Sequence, residues 1–154
     1  MTRPADAIKH VSAIGFGFAF VWIGIQHFTN TAFFEPIVPE VLGDPAFWVY
    51  ASGVAEMLLG VTMIHPRTRE KGGYATAGFL VIVYWANLNM WINDIPIGDE
   101  AFSTTAHIGR AAAQLLMIGL ALWIARGKKE GDFLASNPSE EGKEAATLSG
   151  TNLQ

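Results

Sequence analysis

The sequence contains no cysteine, which excludes disulfides, thiolate metal sites and cysteine nucleophiles. Any redox chemistry must therefore use a bound cofactor. Charge is scarce as well. Asp, Glu, Lys and Arg make up 16% of the 154 residues, against 51% for hydrophobic residues, and many of the charges lie beyond Arg126. That balance does not suit a soluble domain of this size. The formal net charge of −4 is spread by region, so no nucleic-acid surface is expected. No internal repeat of fixed period is present.

Four apolar stretches approach the roughly 20 residues that a membrane-spanning helix needs. They run from about residue 8 to 28, 47 to 64, 74 to 92 and 106 to 125. The first is too long for a signal-peptide core and lacks a small-residue cleavage site, so it reads as a retained helix. Between the first two, Thr29 to Pro45 holds Phe33, Phe34, Pro36, Ile37, Val38 and Pro39. The two close prolines break any helix there, and the apolar content suits a short cap at the membrane interface. The expected fold is all-α: a four-helix integral membrane bundle over residues 1–126, with a cap on the extracytoplasmic side. Residues 127–154, rich in Gly, Ser, Lys and Glu, read as a disordered polar cytoplasmic tail.

Orientation follows from the basic residues in short connections. Arg3 and Lys9, then Arg67, Arg69 and Lys71, then Arg126, Lys128 and Lys129 fall on one side if the helices alternate. The opposite connections have none. The expectation is a multi-pass protein of the inner membrane with both termini cytoplasmic. Trp48, Tyr50, Tyr74, Trp91 and Trp123 lie near the segment ends, where aromatic belts form.

Polar side chains inside such segments are costly unless they face protein, water or a partner. Here they are Gln26 and His27 in the first segment, Glu56 in the second, Asn87 and Asn89 in the third, and His107, Arg110 and Gln114 in the fourth. Glu56 sits on the order of 14 Å below its helix's outer end, from the rise of about 1.5 Å per residue. The others fall in the outer half. His107, Arg110 and Gln114 form one stripe of a helix, as do Gly53, Glu56 and Gly60, and Gly17, Phe20, Gly24 and His27. Glycines beside an ionisable residue place Glu56 at a helix seam rather than toward lipid.

Two readings of this layer stand side by side. In one, Glu56 and Arg110 form a buried ion pair and the remaining polar groups fix helix packing. In the other, the layer floors a ligand pocket, with Glu56 and His107 as the chemically active groups and His27, Gln26, Asn87, Arg110, Gln114 and Trp85 binding the ligand. His27, Glu56 and His107 are also a two-histidine, one-carboxylate set, but they come from different segments without tight spacing, so no metal or haem site is expected. His10 and His65 read as surface residues at the basic interface.

The run Gly24-Ile-Gln-His27-Phe28, then Phe34-Glu-Pro-Ile-Val-Pro39, Ser52-Gly-Val-Ala-Glu56 with Gly60, and Ala86-Asn87-Leu-Asn-Met90 resembles the DoxX and DoxX-like family of small four-helix membrane proteins. The similarity extends over about residues 8 to 126. One departure is Tyr84-Trp85-Ala86-Asn87, where many DoxX-like sequences carry a proline before Ala-Asn, so a kink in the third helix is not implied here. The family takes its name from membrane subunits of thiosulfate:quinone oxidoreductase. The resemblance implies a redox-linked or assembly-linked membrane protein, and the substrate of the name-giving enzyme does not carry over. The leading expectation from the polar layer is a subunit that binds a quinone or similar lipophilic ring in the outer half, contacting membrane lipids and a membrane or peripheral redox partner. Trp22, Phe20 and Trp85 would supply the apolar slot. A non-enzymatic scaffold or assembly factor is the alternative, a small-solute or proton-coupled pathway is a third, and homo-oligomerisation stays open.

Overall fold

The computed structural model describes residues 4–96 and 102–126. Within them the chain is all-α. The order is α1 (Pro4–Thr29), the single turn α2 (Thr31–Phe34), α3 (Pro45–Ile64), α4 (Arg69–Ile92) and α5 (Thr104–Ala125). Two 3-10 turns, Glu35–Ile37 and Glu40–Leu42, lie between α2 and α3. No strand occurs among the described residues. The expected polar tail, 127–154, lies outside them, as do residues 97–101 of the acidic connection.

Local chemistry sets the helix ends. The Asp44 carboxylate accepts from the Ala46 amide at 3.0 Å and Pro45 occupies the first turn of α3, a paired start signal. Ser103 caps α5 in the same way, accepting from Ala106 at 3.3 Å. Each long helix begins ahead of its apolar run, most clearly α4, which starts at Arg69 rather than Tyr74. Hydropathy registers only from Tyr74, whereas backbone bonding needs no apolar side chain. The Thr68 hydroxyl donates to the Thr62 carbonyl at 2.8 Å, and the Gly72 amide bonds back to Thr68 at 2.8 Å. The polar stretch Arg69–Gly73 is therefore already helical. In the cap, the prolines limit helical structure to single turns rather than abolishing it: Pro36 lies at the start of one 3-10 turn and Pro39 caps the next.

α1, α3, α4 and α5 are each long and apolar enough to cross a membrane. The chain has four candidate membrane spans. Most of the apolar stretch of each helix is left unburied by the bundle, and large side chains such as Val11, Ile82 and Leu116 face outward, as a hydrocarbon surrounding favours.

The bundle is built from two pairs. α1 packs chiefly on α3 and α4 on α5, α3 joins the pairs through α4, and α1 and α5 touch only slightly. In the first pair Gly17 lies against Gly60 and Gly24 against Gly53. A Cβ added at Gly60 would stand 2.5 Å from the Gly17 carbonyl oxygen, and one at Gly24 would stand 2.7 Å from that of Gly53. Backbone contact this close admits only glycine. In the second pair Gly73 meets Ala121 and Ala125.

Ala13, Met63 and Ile124, flanked by Phe16 and Leu120, form the apolar core at the end where α1 begins and α5 finishes. That end also gathers the basic side chains. Lys9 donates to the Arg126 carbonyl and stands 5.6 Å from the centre of the Trp123 ring. Arg69 donates to the carbonyls of Met63 and Ile64, each at 3.0 Å, and its guanidinium lies 3.0 Å from His10 Nδ1. The opposite end carries the cap and the polar layer.

Candidate functional site

The glycine contacts fix how α1 faces α3. Seven residues forward along α1, from Gly17 to Gly24, match seven residues back along α3, from Gly60 to Gly53, so the helices are antiparallel and two turns in register. Every Cα–Cβ bond leans toward its own helix N-terminus. His27 on α1 therefore leans toward the basic end and Glu56 on α3 leans toward the cap, and the two converge. His27 Nδ1 lies 3.3 Å from Glu56 Oε2.

The proximity is not a hydrogen bond. His27 Nδ1 is 2.8 Å from the Ile23 carbonyl oxygen. A carbonyl can only accept, so the Nδ1 proton points there, along α1. Glu56 Oε2 is buried and no described group donates to it. The plane of the imidazole is held by Phe34 of α2, stacked on it with centroids 4.0 Å apart at 15°. The cap thus reaches into the layer. Asn89 Nδ2 also approaches the Ile37 carbonyl at 3.5 Å, linking α4 to the same cap.

A second cluster belongs to α4 and α5, where antiparallel pairing matches Asn87 to Arg110 and Trp91 to His107. Arg110 Nη2 donates to Asn87 Oδ1 at 2.7 Å. The buried His107 ring lies parallel to Trp91, centroids 5.6 Å apart at 5°, and meets Phe102 edge-on at 6.0 Å. Arg110 stands over Phe102 at 5.7 Å. Deeper along α5, Gln114 donates to the Leu80 carbonyl at 2.6 Å.

This geometry corrects the ion pair between Glu56 and Arg110 read from the sequence. The two side chains belong to different helix pairs, and Arg110 is held by Asn87 while Glu56 faces His27. The set of His27, Glu56 and His107 is likewise not assembled, and no group of three His, Asp or Glu that could hold a metal occurs among the described residues. Trp85 is 52% exposed and Trp22 is 63% exposed. Both face away from the layer, because their helical positions lie on the outward faces of α4 and α1. Gln26 is only partly buried and accepts from the Thr29 hydroxyl at 2.9 Å, away from Glu56. α4 runs as one continuous helix through Trp85-Ala86-Asn87.

The family described as Domain of unknown function (DUF8561) matches residues 16–125. The chain belongs to that family. The matched DUF8561 region begins in α1 and ends with α5, so His27, Glu56, Asn87, His107, Arg110 and Gln114 all fall inside it. No curated protein matches the chain, and no solved structure does.

Chemically, the first cluster offers a proton acceptor or carrier, a carboxyl and an imidazole held in one plane. The second offers a cation beside aromatic rings. Phe34, Phe102, Trp91 and the Ile23 carbonyl were not singled out for the site from the sequence. For Trp91 a signal exists: it lies four residues after Asn87, on the same face of α4. For Phe34 and the Ile23 carbonyl there is none, because their roles depend on tertiary placement.

Proposed function

We propose that the protein is a redox-linked membrane subunit that holds a quinone-type lipophilic ring in the capped half of the bundle. The observation that carries this reading is the His27–Glu56 pair, 3.3 Å apart within two candidate membrane spans, with one carboxyl oxygen buried and unpartnered among the described residues. An ionisable group kept in a membrane interior at such cost marks function by default. A ring ligand would lie against the two polar clusters, with the aromatic faces of Phe34 and Trp91 supplying apolar contact and Arg110 and His107 supplying polar contact. The resemblance to DoxX-like proteins points the same way. The reading includes an inner-membrane location with both termini cytoplasmic, and a membrane or peripheral partner that exchanges electrons with the ligand.

Native mass spectrometry of the gently solubilised protein, followed by organic extraction, tests it. The expected result is a stoichiometric ring compound whose retention falls in His107→Asn while the bundle stays folded. Recovery of phospholipid alone from a folded, functional protein would end the reading.

A scaffold or assembly role is the second reading, and Gln114 and Arg110 favour it. Both side chains bond across α4 and α5, to the Leu80 carbonyl and to Asn87, as groups that only fix packing would. In that case, apolar replacement of Glu56 and His27 together would leave cellular function intact.

A further inference from the structure

Among the described residues no carboxylate stands beside Arg110, although it lies in the second turn of α5, a candidate membrane span. One N–H of its guanidinium goes to a neutral acceptor, Asn87 Oδ1, and the rest of the fork finds no acceptor among the described residues. The side chain is only half-buried. A cation kept at this depth is costly unless something neutralises it.

The flank of α5 next to Arg110 is open. α1 and α5 meet at the basic end, where Phe16 and Leu120 pack against Ala13 and Ile124 and where Lys9 reaches Trp123 and the Arg126 carbonyl. Two turns nearer the cap the same two faces part. Ile23 repeats the position of Phe16 seven residues on, yet it is 39% exposed. Ala113 repeats the position of Leu120 seven residues back, and it is exposed as well. The slight contact between α1 and α5 therefore leaves an apolar opening in the capped half, with Arg110 one turn above Ala113.

We infer that this α1–α5 flank binds a phospholipid of net negative charge from the leaflet on the capped side. Its phosphate pairs with the Arg110 guanidinium, and an acyl chain lies in the opening between Ile23 and Ala113. The planar N–H fork of arginine suits phosphate oxygens, and basic sites between spanning helices take acidic headgroups. A soluble oxyanion would meet the cation but not the apolar walls, whereas a zwitterionic lipid would fill the walls and bring a cation of its own toward Arg110. This lipid site does not rest on the ring-ligand reading, which is carried by His27 and Glu56. Recovery of anionic lipid with no ring compound would end that reading and leave this one standing.

The test uses the full chain in detergent micelles that carry equal amounts of dioleoylphosphatidylglycerol and dioleoylphosphatidylcholine, with retained lipid counted by native mass spectrometry. Phosphatidylglycerol is expected to be retained about five-fold over phosphatidylcholine. Arg110→Met should remove most of that preference with helicity unchanged by circular dichroism, while Arg67→Gln with Lys71→Gln, at the basic end, should leave the larger part of it. Ala113→Trp fills the opening and keeps the charge, so it should lower phosphatidylglycerol retention as well.

Equal retention of the two lipids by the wild type would overturn the inference. So would a preference that survives Arg110→Met and falls in the basic-end variant, because the lipid would then sit at the opposite leaflet. Should Arg110→Met fail to fold, Ala113→Trp decides, and undiminished retention in it would overturn the inference. A preference absent from the wild type that emerges in Asp99→Asn with Glu100→Gln would overturn it too, by assigning Arg110 a counter-ion from the chain itself.

Discussion

Arg110 and Asn87 are joined by a 2.7 Å hydrogen bond between α5 and α4, so this half-buried cation serves its own helix pair and not the carboxyl of Glu56. The bond is charge-assisted and half-buried, and its removal should be measurable. Double-mutant cycles on Asn87→Leu with Arg110→Met are expected to give a coupling of about 1–2 kcal/mol. The same cycle on Glu56→Gln with Arg110→Met should give less than about 0.5 kcal/mol, as for groups that share no partner. Unfolding in detergent, followed by tryptophan fluorescence, reads both. Coupling of Glu56 to Arg110 larger than that of Asn87 would contradict the structure.

The glycine seam gives a second contrast. Gly60→Ala places a Cβ 2.5 Å from the Gly17 carbonyl oxygen and 2.8 Å from Val21 Cγ2, which must push α1 from α3 at a cost of about 1–3 kcal/mol. Gly109 on α5 has nothing within 4 Å of the added Cβ. Gly109→Ala should therefore be neutral or stabilising by up to about 1 kcal/mol, from helix propensity. Equal melting temperatures for the two variants would count against the seam.

Thr76 on α4 is fully buried and its hydroxyl has no hydrogen-bond partner among the described residues. Thr76→Val keeps the shape and removes the unpaired group, so the variant should be as stable as the parent or more so, by about 1 kcal/mol. A clear drop in melting temperature would mean that the hydroxyl has a partner after all.

Orientation can be read without background labelling because the chain has no cysteine of its own. In spheroplasts, a membrane-impermeant maleimide should label Asp94→Cys and spare Arg67→Cys until the membrane is broken, if the proposed cytoplasmic placement of the basic residues holds. Labelling of Arg67→Cys in intact spheroplasts would invert the proposed topology.

The four long helices were legible because length, apolarity and basic turns are local properties. Their starts were less so, since Arg69–Gly73 winds as helix on backbone bonds that hydropathy does not report. The stripes of the site were legible too: Gly24 with His27, Gly53 with Glu56, and His107 with Arg110 each share a helix face by spacing alone. What spacing could not say is which stripe faces which. Glu56 and Arg110 carry opposite charges, and charge alone pairs them. The glycine register that instead sets His27 against Glu56 is a relation between α1 and α3 that neither helix encodes by itself. Trp85 illustrates the same limit, because an aromatic residue two positions from Asn87 falls on a different face of α4 and ends up 52% exposed.

At the basic end, Arg69 of α4 holds the last carbonyls of α3, and Lys9 of α1 holds the carbonyl of Arg126, the residue that caps α5. Each cation thus completes a helix terminus other than its own, where the partial negative charge of the helix dipole is concentrated. The same charges that bias which way a segment enters the bilayer also close the assembled bundle. A helix threaded in the wrong sense would carry its cation to the opposite end of the bundle and leave a neighbour's terminal carbonyls open.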